Sequence, residues 1–460
     1  MTNRLANAFA FLHAFVRTRW GLRFRSREAL LAYQQRQLRR FSSKVLPKSD
    51  FYRRYANQAL ASMPVVTKRD MLNQFDAFNT AGITLDDARE LALRAETERN
   101  FRSTLPGGVT IGLSSGTSGD PNVFLASTRE RHVWAGIMLA RILTGPMLRR
   151  VLNPFSPRVR VAFFLRANSN LYETVDGMRV GFRFFDLIAS MAVHLSALAD
   201  FAPDILIAPP SVLHRLADLQ RSSSLFLRPA QVISVAEVLE PDDRTAIEQV
   251  WDVSVIQIYQ CTEGFLGYTC GAGSLHLNEE FLHIEPAWVD HAGGRFESII
   301  TDFTRKTQLF VRFRMDDVLQ IAPTPCTCGR HSLRLAAIEG RRDDVLWLSA
   351  KCGNSLIPIF PDQLRRAMLV VQEQFNDYRI EQRTWGLLIR LHTQGDLPKI
   401  GQSVRRELER LWSTLQVQSP ALSFDKLEVK DSADKRRRIR GLERSTPCNH
   451  SPDSISEISS

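Results

Sequence analysis

The sequence predicts an α/β protein. A large, multi-subdomain N-terminal domain combines parallel sheets covered by helices with an antiparallel subdomain, and a small α+β C-terminal domain follows. Three observations carry this reading. Over residues 158–259 short apolar strands alternate with amphipathic helices, as in a parallel sheet covered on both faces. Beyond Glu263 the chain turns to hairpin-like segments rich in Gly, Asp and aromatic residues, through Leu319. Past Gly340 helical and strand patterns alternate in a third texture, so the boundary is set near Asp343 and Asp344, dividing the chain into 1–342, 343–445 and a disordered tail over 446–460. With 460 residues, 44% of them hydrophobic, the chain is long enough for two domains.

Taken in order, the first element is an apolar run over 5–16, preceded by Arg4, in which Leu5, Phe9, Leu12 and Val16 recur at helical spacing. No small-residue cleavage site follows it; Arg17, Arg19, Arg23, Arg25 and Arg27 do, so it reads as a docked amphipathic helix, with peripheral membrane contact the lesser alternative. No run of about 18 or more apolar residues appears, so no membrane-spanning helix is expected. Strands are predicted over 159–165, 205–208, 232–235 and 253–259, and helices over 184–198, 211–219 and 241–250. Pro241 followed by Asp242 and Asp243 suits a helix's first turn. In the last third, helices are predicted over 361–375 and 404–415, and strands over 345–348, 387–392 and 422–429.

The chemistry concentrates in a few segments. Ser114, Ser115, Gly116, Thr117, Ser118 and Gly119 form a loop between two apolar runs. Its glycines let backbone amides approach an anion and its hydroxyls add donors, although a solvated turn has the same composition. It lacks the terminal Gly-Lys-Ser/Thr of a P-loop. The strand over 253–259 runs into Tyr259, Thr262 and Glu263, placing hydroxyls and a carboxylate past its carboxyl end, where open α/β sheets bind ligands. Further along stand Val311-Arg-Phe-Arg-Met-Asp-Asp317, Ile338-Glu-Gly-Arg-Arg-Asp-Asp344 and Asp431-Ser-Ala-Asp-Lys435.

In this order and at these separations the motifs resemble those of the adenylate-forming superfamily, in its phenylacetate-CoA ligase-like branch, from about Pro64 to Lys435. The resemblance implies an acid-thiol ligase: ATP converts an aryl or fatty acid to an acyl adenylate, and a thiol of coenzyme A or of carrier-protein phosphopantetheine takes the acyl group. It implies that the 114–119 loop holds the leaving pyrophosphate, Thr262 meets the α-phosphate, and Glu263 holds magnesium, which prefers carboxylate, phosphate and water oxygens. Tyr259 and Glu237 are implied on the adenine side, Asp317 and Arg341 on the ribose, and Lys435, from a mobile C-terminal domain, between substrate carboxylate and α-phosphate. Locally, Lys435 opens a run with Arg436, Arg437, Arg438 and Arg440 that also reads as a solvated or nucleic-acid-facing surface. The chain departs from the family in Asp120, where a lysine is usual, and in Met315, Asp316 and Asp434. A cation for the pyrophosphate must then come from elsewhere, with Arg129 and Arg131 as candidates.

Six cysteines at uneven spacing do not make a disulfide framework, which favours a reducing, cytoplasmic setting. Cys270, His276, Cys326 and Cys328 could form a Cys3His zinc set, though spacing alone leaves two unrelated buried pairs equally open; the resemblance favours a structural zinc. A formal net charge of +11 favours anionic partners without choosing among them. The partners expected are the acid and possibly an acyl carrier protein, with no nucleic acid. Two alternatives stand beside this reading: an acyl-adenylate enzyme with a non-thiol acceptor, and a basic nucleic-acid-binding protein on a decayed ligase fold.

Overall fold

A computed structural model of the chain describes residues 2–113, 123–165, 177, 179–353, 355–428 and 437–442. They fall into two compact units, the first reaching Glu339 and the second beginning at Gly340. In the first unit, β1 (Thr110–Leu113) and β2 (Val123–Ala126) pair as an antiparallel ribbon, with Leu113 opposite Val123. The glycine- and serine-rich segment between them, including 114–119, lies outside the described residues.

An eleven-stranded sheet organises the rest of this unit. β3 (Val159–Leu165), β4 (Val180–Asp186), β5 (Ile205–Ala208), β6 (Gln231–Ser234) and β7 (Val255–Gln260) pair in parallel in the order β4-β3-β5-β6-β7. Helices Met191–Phe201, Pro210–Arg221 and Pro241–Trp251 supply the long crossovers that parallel strands require. Pro241 sits in the first turn of its helix with Asp242 and Asp243, favourable charges for that end. At β7 the sheet changes character, because the tight connection through Gly264 admits only an antiparallel partner. β8 (Phe265–Thr269), β9 (Leu275–Leu277), β10 (Leu282–Asp290), β11 (Arg295–Asp302), β12 (Phe313–Ile321) and β13 (Arg334–Arg341) complete it, in the order β10-β11-β12-β13-β9-β8-β7. The expected parallel and antiparallel regions are thus two halves of one sheet.

Two sequence expectations need correction here. The helix expected over 184–198 starts only at Met191, because Phe184 to Asp186 belong to β4, paired opposite Phe163, Phe164 and Leu165. Phe184, Ile188 and Met191 have helical spacing, but the ladder to β3 and the stacking of Phe185 on Phe164, centroids 4.7 Å apart, outweigh it. The N-terminal helix, Thr2–Val16, does dock, but not through the stripe that marks it in the sequence. Ala10, Ala14 and Phe15 are buried, while Leu5, Phe9, Leu12 and Val16 are 67%, 70%, 57% and 45% exposed. Close approach selects the small face: a Cβ at Gly136, in the helix Thr128–Ile142, would meet the Phe11 carbonyl oxygen at 2.5 Å and the Ala14 Cβ at 3.0 Å.

In the second unit β14 (Leu346–Ser349) and β15 (Leu356–Ile359) form a hairpin. β16 (Asp377–Arg383), β17 (Gly386–His392), β18 (Leu422–Lys426) and β19 (Ile439–Arg440) form a four-stranded sheet in the order β18-β17-β16-β19. Leu364 and Met368 of helix Pro361–Leu369 and Val404, Leu408 and Trp412 of helix Leu397–Thr414 share a core with Ile380 and Ile389 of the sheet. The helix expected over 361–375 stops at Leu369, and the one expected over 404–415 starts about two turns earlier, at Leu397, with Pro398 in its first turn. No helix is long and apolar enough to cross a membrane among the described residues.

Candidate functional site

β6 and β7 are neighbouring parallel strands, so their carboxyl ends open side by side. Beyond β6, Ala236 takes a positive φ of 68°, a costly turn for a residue with a Cβ, and Glu237 follows. Its Oε2 accepts from the backbone N–H of Ser211 at 3.3 Å, at the start of helix Pro210–Arg221. Beyond β7 come Cys261, Thr262 and Glu263. Thr262 Oγ1 donates to Glu263 Oε2 at 2.8 Å, and Glu263 is buried. Burial, with the Glu263 and Asp317 carboxylates close by, pushes the Cys261 thiol well up, so it stays protonated and donates to the Gly264 carbonyl at 3.6 Å.

Tyr259, on β7, donates its hydroxyl to Asp317 Oδ2 on β12 at 2.7 Å. Burial and the Asp317 charge hold its phenol well above the ordinary value, keeping it a donor. Close backbone approach here requires Gly267, where a Cβ would meet the His276 carbonyl oxygen at 2.8 Å. The structure therefore brings Tyr259, Thr262, Glu263, Asp317 and Glu237 to two adjacent strand ends and the strand facing them. Arg341 belongs to the second unit, where its backbone N–H bonds Asp344 Oδ2 at 2.7 Å. Burial raises the Asp344 carboxyl despite its ion pair with Arg437. Lys435, like 114–119, lies outside the described residues.

A second group of residues escaped the sequence reading. Arg305 Nη2 donates to the Thr262 carbonyl at 2.8 Å and Nη1 to the Leu125 carbonyl at 3.2 Å, joining the Thr262–Glu263 turn to the strand that leaves the 114–119 loop. Gln308, fully buried, fastens the same strand: its Oε1 accepts from the Leu125 N–H at 2.8 Å and its Nε2 donates to the Val123 carbonyl at 3.2 Å. Glu130, in the capping box of helix Thr128–Ile142, accepts from the N–H groups of Lys306 and Thr307 and from the Thr307 hydroxyl. Burial opposes its charge, but Arg305 and these donors win and hold its carboxyl below the ordinary range. Burial raises the Asp302 carboxyl even though Arg305 lies 3.9 Å away. The only signal in the sequence is Asp302-Phe-Thr-Arg-Lys-Thr-Gln308, a polar cluster that reads as ordinary turn chemistry. Arg131, one candidate cation, instead donates to the Thr128 hydroxyl at 3.2 Å.

Cys270, His276, Cys326 and Cys328 converge, with one ligand atom from each lying within 4.8 Å of the others. Cys270 follows β8 and closes a turn whose Gly273 has φ 78°; His276 is on β9; the two remaining cysteines share a turn closed by Gly329 N–H on the Cys326 carbonyl at 3.4 Å. The Cys270 and Cys326 sulfurs are 3.7 Å apart, and Cys328 Sγ is 3.5 Å from His276 Nε2. A tetrahedron with zinc–sulfur and zinc–nitrogen bonds of about 2.3 and 2.05 Å has edges of about 3.8 Å between sulfurs and about 3.6 Å between sulfur and nitrogen, so the donor set fits zinc. His276 is fully buried, and its Nδ1 donates to the Ser332 carbonyl at 3.0 Å, which aims the Nε2 lone pair at the cluster. Burial opposes a charge on Cys326, but the Ser274 hydroxyl, the Cys328 N–H and His276 lower its thiol to about 6. Burial and the neighbouring sulfurs push Cys328 up.

No family model matches the chain. Among characterised proteins it is 23% identical over 290 residues to the phenylacetate-coenzyme A ligase of Pseudomonas putida, covering 59% of this chain and 62% of that enzyme, less than two-thirds of its length. To the phenylacetate-coenzyme A ligase of Thermus thermophilus it is 22% identical over 393 residues, covering 79% of this chain and 80% of the relative. Its fold matches that of a 2-hydroxyisobutyryl-CoA ligase in complex with 2-HIB-AMP in the postadenylation state, with a TM-score of 0.62, 16% identity, and coverage of 91% of this chain and 90% of that one. The chain is thus similar in sequence to two phenylacetate-coenzyme A ligases, in keeping with the ordered motifs it shares with the phenylacetate-CoA ligase-like branch of the adenylate-forming superfamily, and it has the fold of a solved CoA ligase.

Proposed function

We propose that this protein is an AMP-forming acid-thiol ligase, activating an aryl or fatty acid with ATP and transferring the acyl group to the thiol of coenzyme A. A carboxylate is a poor acyl donor near neutral pH. Its oxygen attacks the α-phosphorus, pyrophosphate leaves, and the acyl adenylate now has AMP as leaving group; the thiol sulfur then attacks the acyl carbon. The observation that supports this reading best is the gathering of Thr262, Glu263, Glu237 and the Tyr259–Asp317 pair at the carboxyl ends of β6 and β7 and on the facing strand.

In this reading Tyr259 and Glu237 border the adenine, Asp317 and Arg341 take the ribose hydroxyls, and Thr262 donates to the α-phosphate. Ser114, Ser115, Gly116, Thr117, Ser118 and Gly119 hold the pyrophosphate, with Arg305 keeping the exit of that loop against Thr262. Glu263 would hold a magnesium ion, which supplies countercharge to the phosphates. Lys435 offsets the charge that builds as the two anions meet. Cys270, His276, Cys326 and Cys328 would hold zinc; four protein ligands leave no open position, so the ion pins β8, β9 and the 326–329 turn and takes no part in the reaction. A carrier-protein arm is the alternative thiol.

The test is acid-dependent exchange of labelled pyrophosphate into ATP across a panel of aryl and fatty acids, followed by mass detection of the thioester when coenzyme A is added. Exchange with at least one acid, and its thioester, are expected. Absence of exchange across the panel would overturn the proposal.

A further inference from the structure

The N-terminal helix presents an apolar surface that the proposed reaction does not use. Leu5, Phe9, Leu12 and Val16 form one stripe along Thr2–Val16, and Trp20, in the single turn Arg17–Gly21 that continues it, is 48% exposed. This is not a loosely attached helix that could turn its apolar side inward. Its other face is locked against Gly136, and Arg19 donates to the Ala140 and Leu143 carbonyls at 3.0 and 2.9 Å, so the stripe is held outward. Large apolar groups at successive turns of a fixed helix are uncommon on a surface without a partner.

Charge selects the partner. Residues 2–27 contain six arginines and no carboxylate. Arg17, Arg19 and Arg27 are engaged, with the Tyr33 hydroxyl, the two carbonyls and Glu279 respectively. Arg4, before the stripe, and Arg23 and Arg25, after it, are exposed, and none pairs with a carboxylate among the described residues. Aliphatic and aromatic side chains flanked by exposed arginines and a tryptophan match the boundary between acyl chains and anionic headgroups. A second copy fits poorly. The helix has 15 residues and so is about 22 Å long and roughly 10 Å wide, outlining on the order of 200 Å², against about 800 Å² per partner in a stable dimer, and it would bring like charges together. We infer that the outward face of this helix docks the protein on anionic phospholipid bilayers, with Leu5, Phe9, Leu12, Val16 and Trp20 entering the interface and Arg4, Arg23 and Arg25 meeting the headgroups.

The test is co-sedimentation of the full chain with vesicles of phosphatidylcholine alone or with about one-third phosphatidylglycerol. Binding to the anionic vesicles should be about tenfold stronger at low salt and should weaken as salt rises. Leu5→Ser, Phe9→Ser and Leu12→Ser together should lower it about tenfold, while Arg4→Gln, Arg23→Gln and Arg25→Gln together should remove the anionic preference. Every substituted side chain in the first set is exposed, and Phe9→Glu alone provides a milder second variant; circular dichroism checks that each is folded. Equal binding to both vesicles, or unchanged binding by the triple serine variant, would overturn the inference. So would lipid-free self-association of the chain that these serine substitutions abolish, which would make the stripe a contact between copies.

Discussion

Arg305→Ala should weaken both the fold and the activation step. The guanidinium makes charge-assisted bonds to the Thr262 and Leu125 carbonyls, and its side chain is only 14% exposed beside an Asp302 side chain that is 6% exposed. Two such bonds contribute about 1.5 to 3 kcal/mol each when solvent cannot replace them, and stranding a buried carboxylate adds to the loss. Asp302 limits that second part, because its raised carboxyl can take a proton once the cation is gone. A net loss of about 3 kcal/mol is expected in urea denaturation. Without denaturant, where the variant is still folded, the Thr262 turn is no longer tied to β2, and pyrophosphate exchange should fall about a hundredfold, the scale expected for displacement by about 1 Å. Arg305→Lys keeps the charge but not the two-pronged reach, and should lie between. A variant within about 0.5 kcal/mol of the parent and with unchanged exchange would refute this role.

The remaining predictions concern neighbouring groups. Glu130→Gln should destabilise by about 2 kcal/mol at pH 7. Because the Glu130 carboxyl is held below its ordinary value, its contribution is present above about pH 4.5 and lost as pH falls through the folded value, so the gap between parent and variant in denaturation should close in acid; a pH-independent gap contradicts it. Purified protein should carry about one equivalent of zinc by elemental analysis, and Cys326→Ser should lose it and speed amide exchange in β8 and β9; zinc-free parent protein contradicts the site. Lys435→Ala should abolish pyrophosphate exchange yet leave thioester formation from supplied acyl adenylate largely intact; loss of only the second step moves this lysine to thiol handling.

Elements whose hydrophobic runs match a single period could be read directly. Val255-Ile-Gln-Ile-Tyr-Gln260 is a buried strand in the sequence and in the sheet, and Pro241 with its two aspartates marks the helix start it occupies. Legibility fails where two periods compete, as at Phe184, whose helical spacing to Ile188 and Met191 yields to the pairing of β4 with β3. It fails again in the N-terminal helix, where the pattern marks an amphipathic segment but not which face packs, since that depends on the space offered by Gly136. In the site, the strand-end residues Tyr259, Thr262 and Glu263 stand out because hydroxyls and a carboxylate interrupt apolar texture. Arg305, Gln308 and Glu130 do not, since each has a backbone partner about 180 residues distant.

The central claim, that the acid is activated as an acyl adenylate, is tested most directly by following the carboxylate oxygen. An acid accepted in the exchange screen is prepared with heavy oxygen in both carboxylate positions and turned over with ATP and coenzyme A, and the nucleotide product is weighed by mass spectrometry. Attack on the α-phosphorus followed by thiol attack on the acyl carbon leaves one heavy oxygen in AMP, and that is the result expected. Unlabelled AMP accompanied by labelled pyrophosphate, or labelled inorganic phosphate with ADP, would contradict it, since the carboxylate would then have attacked a different phosphorus.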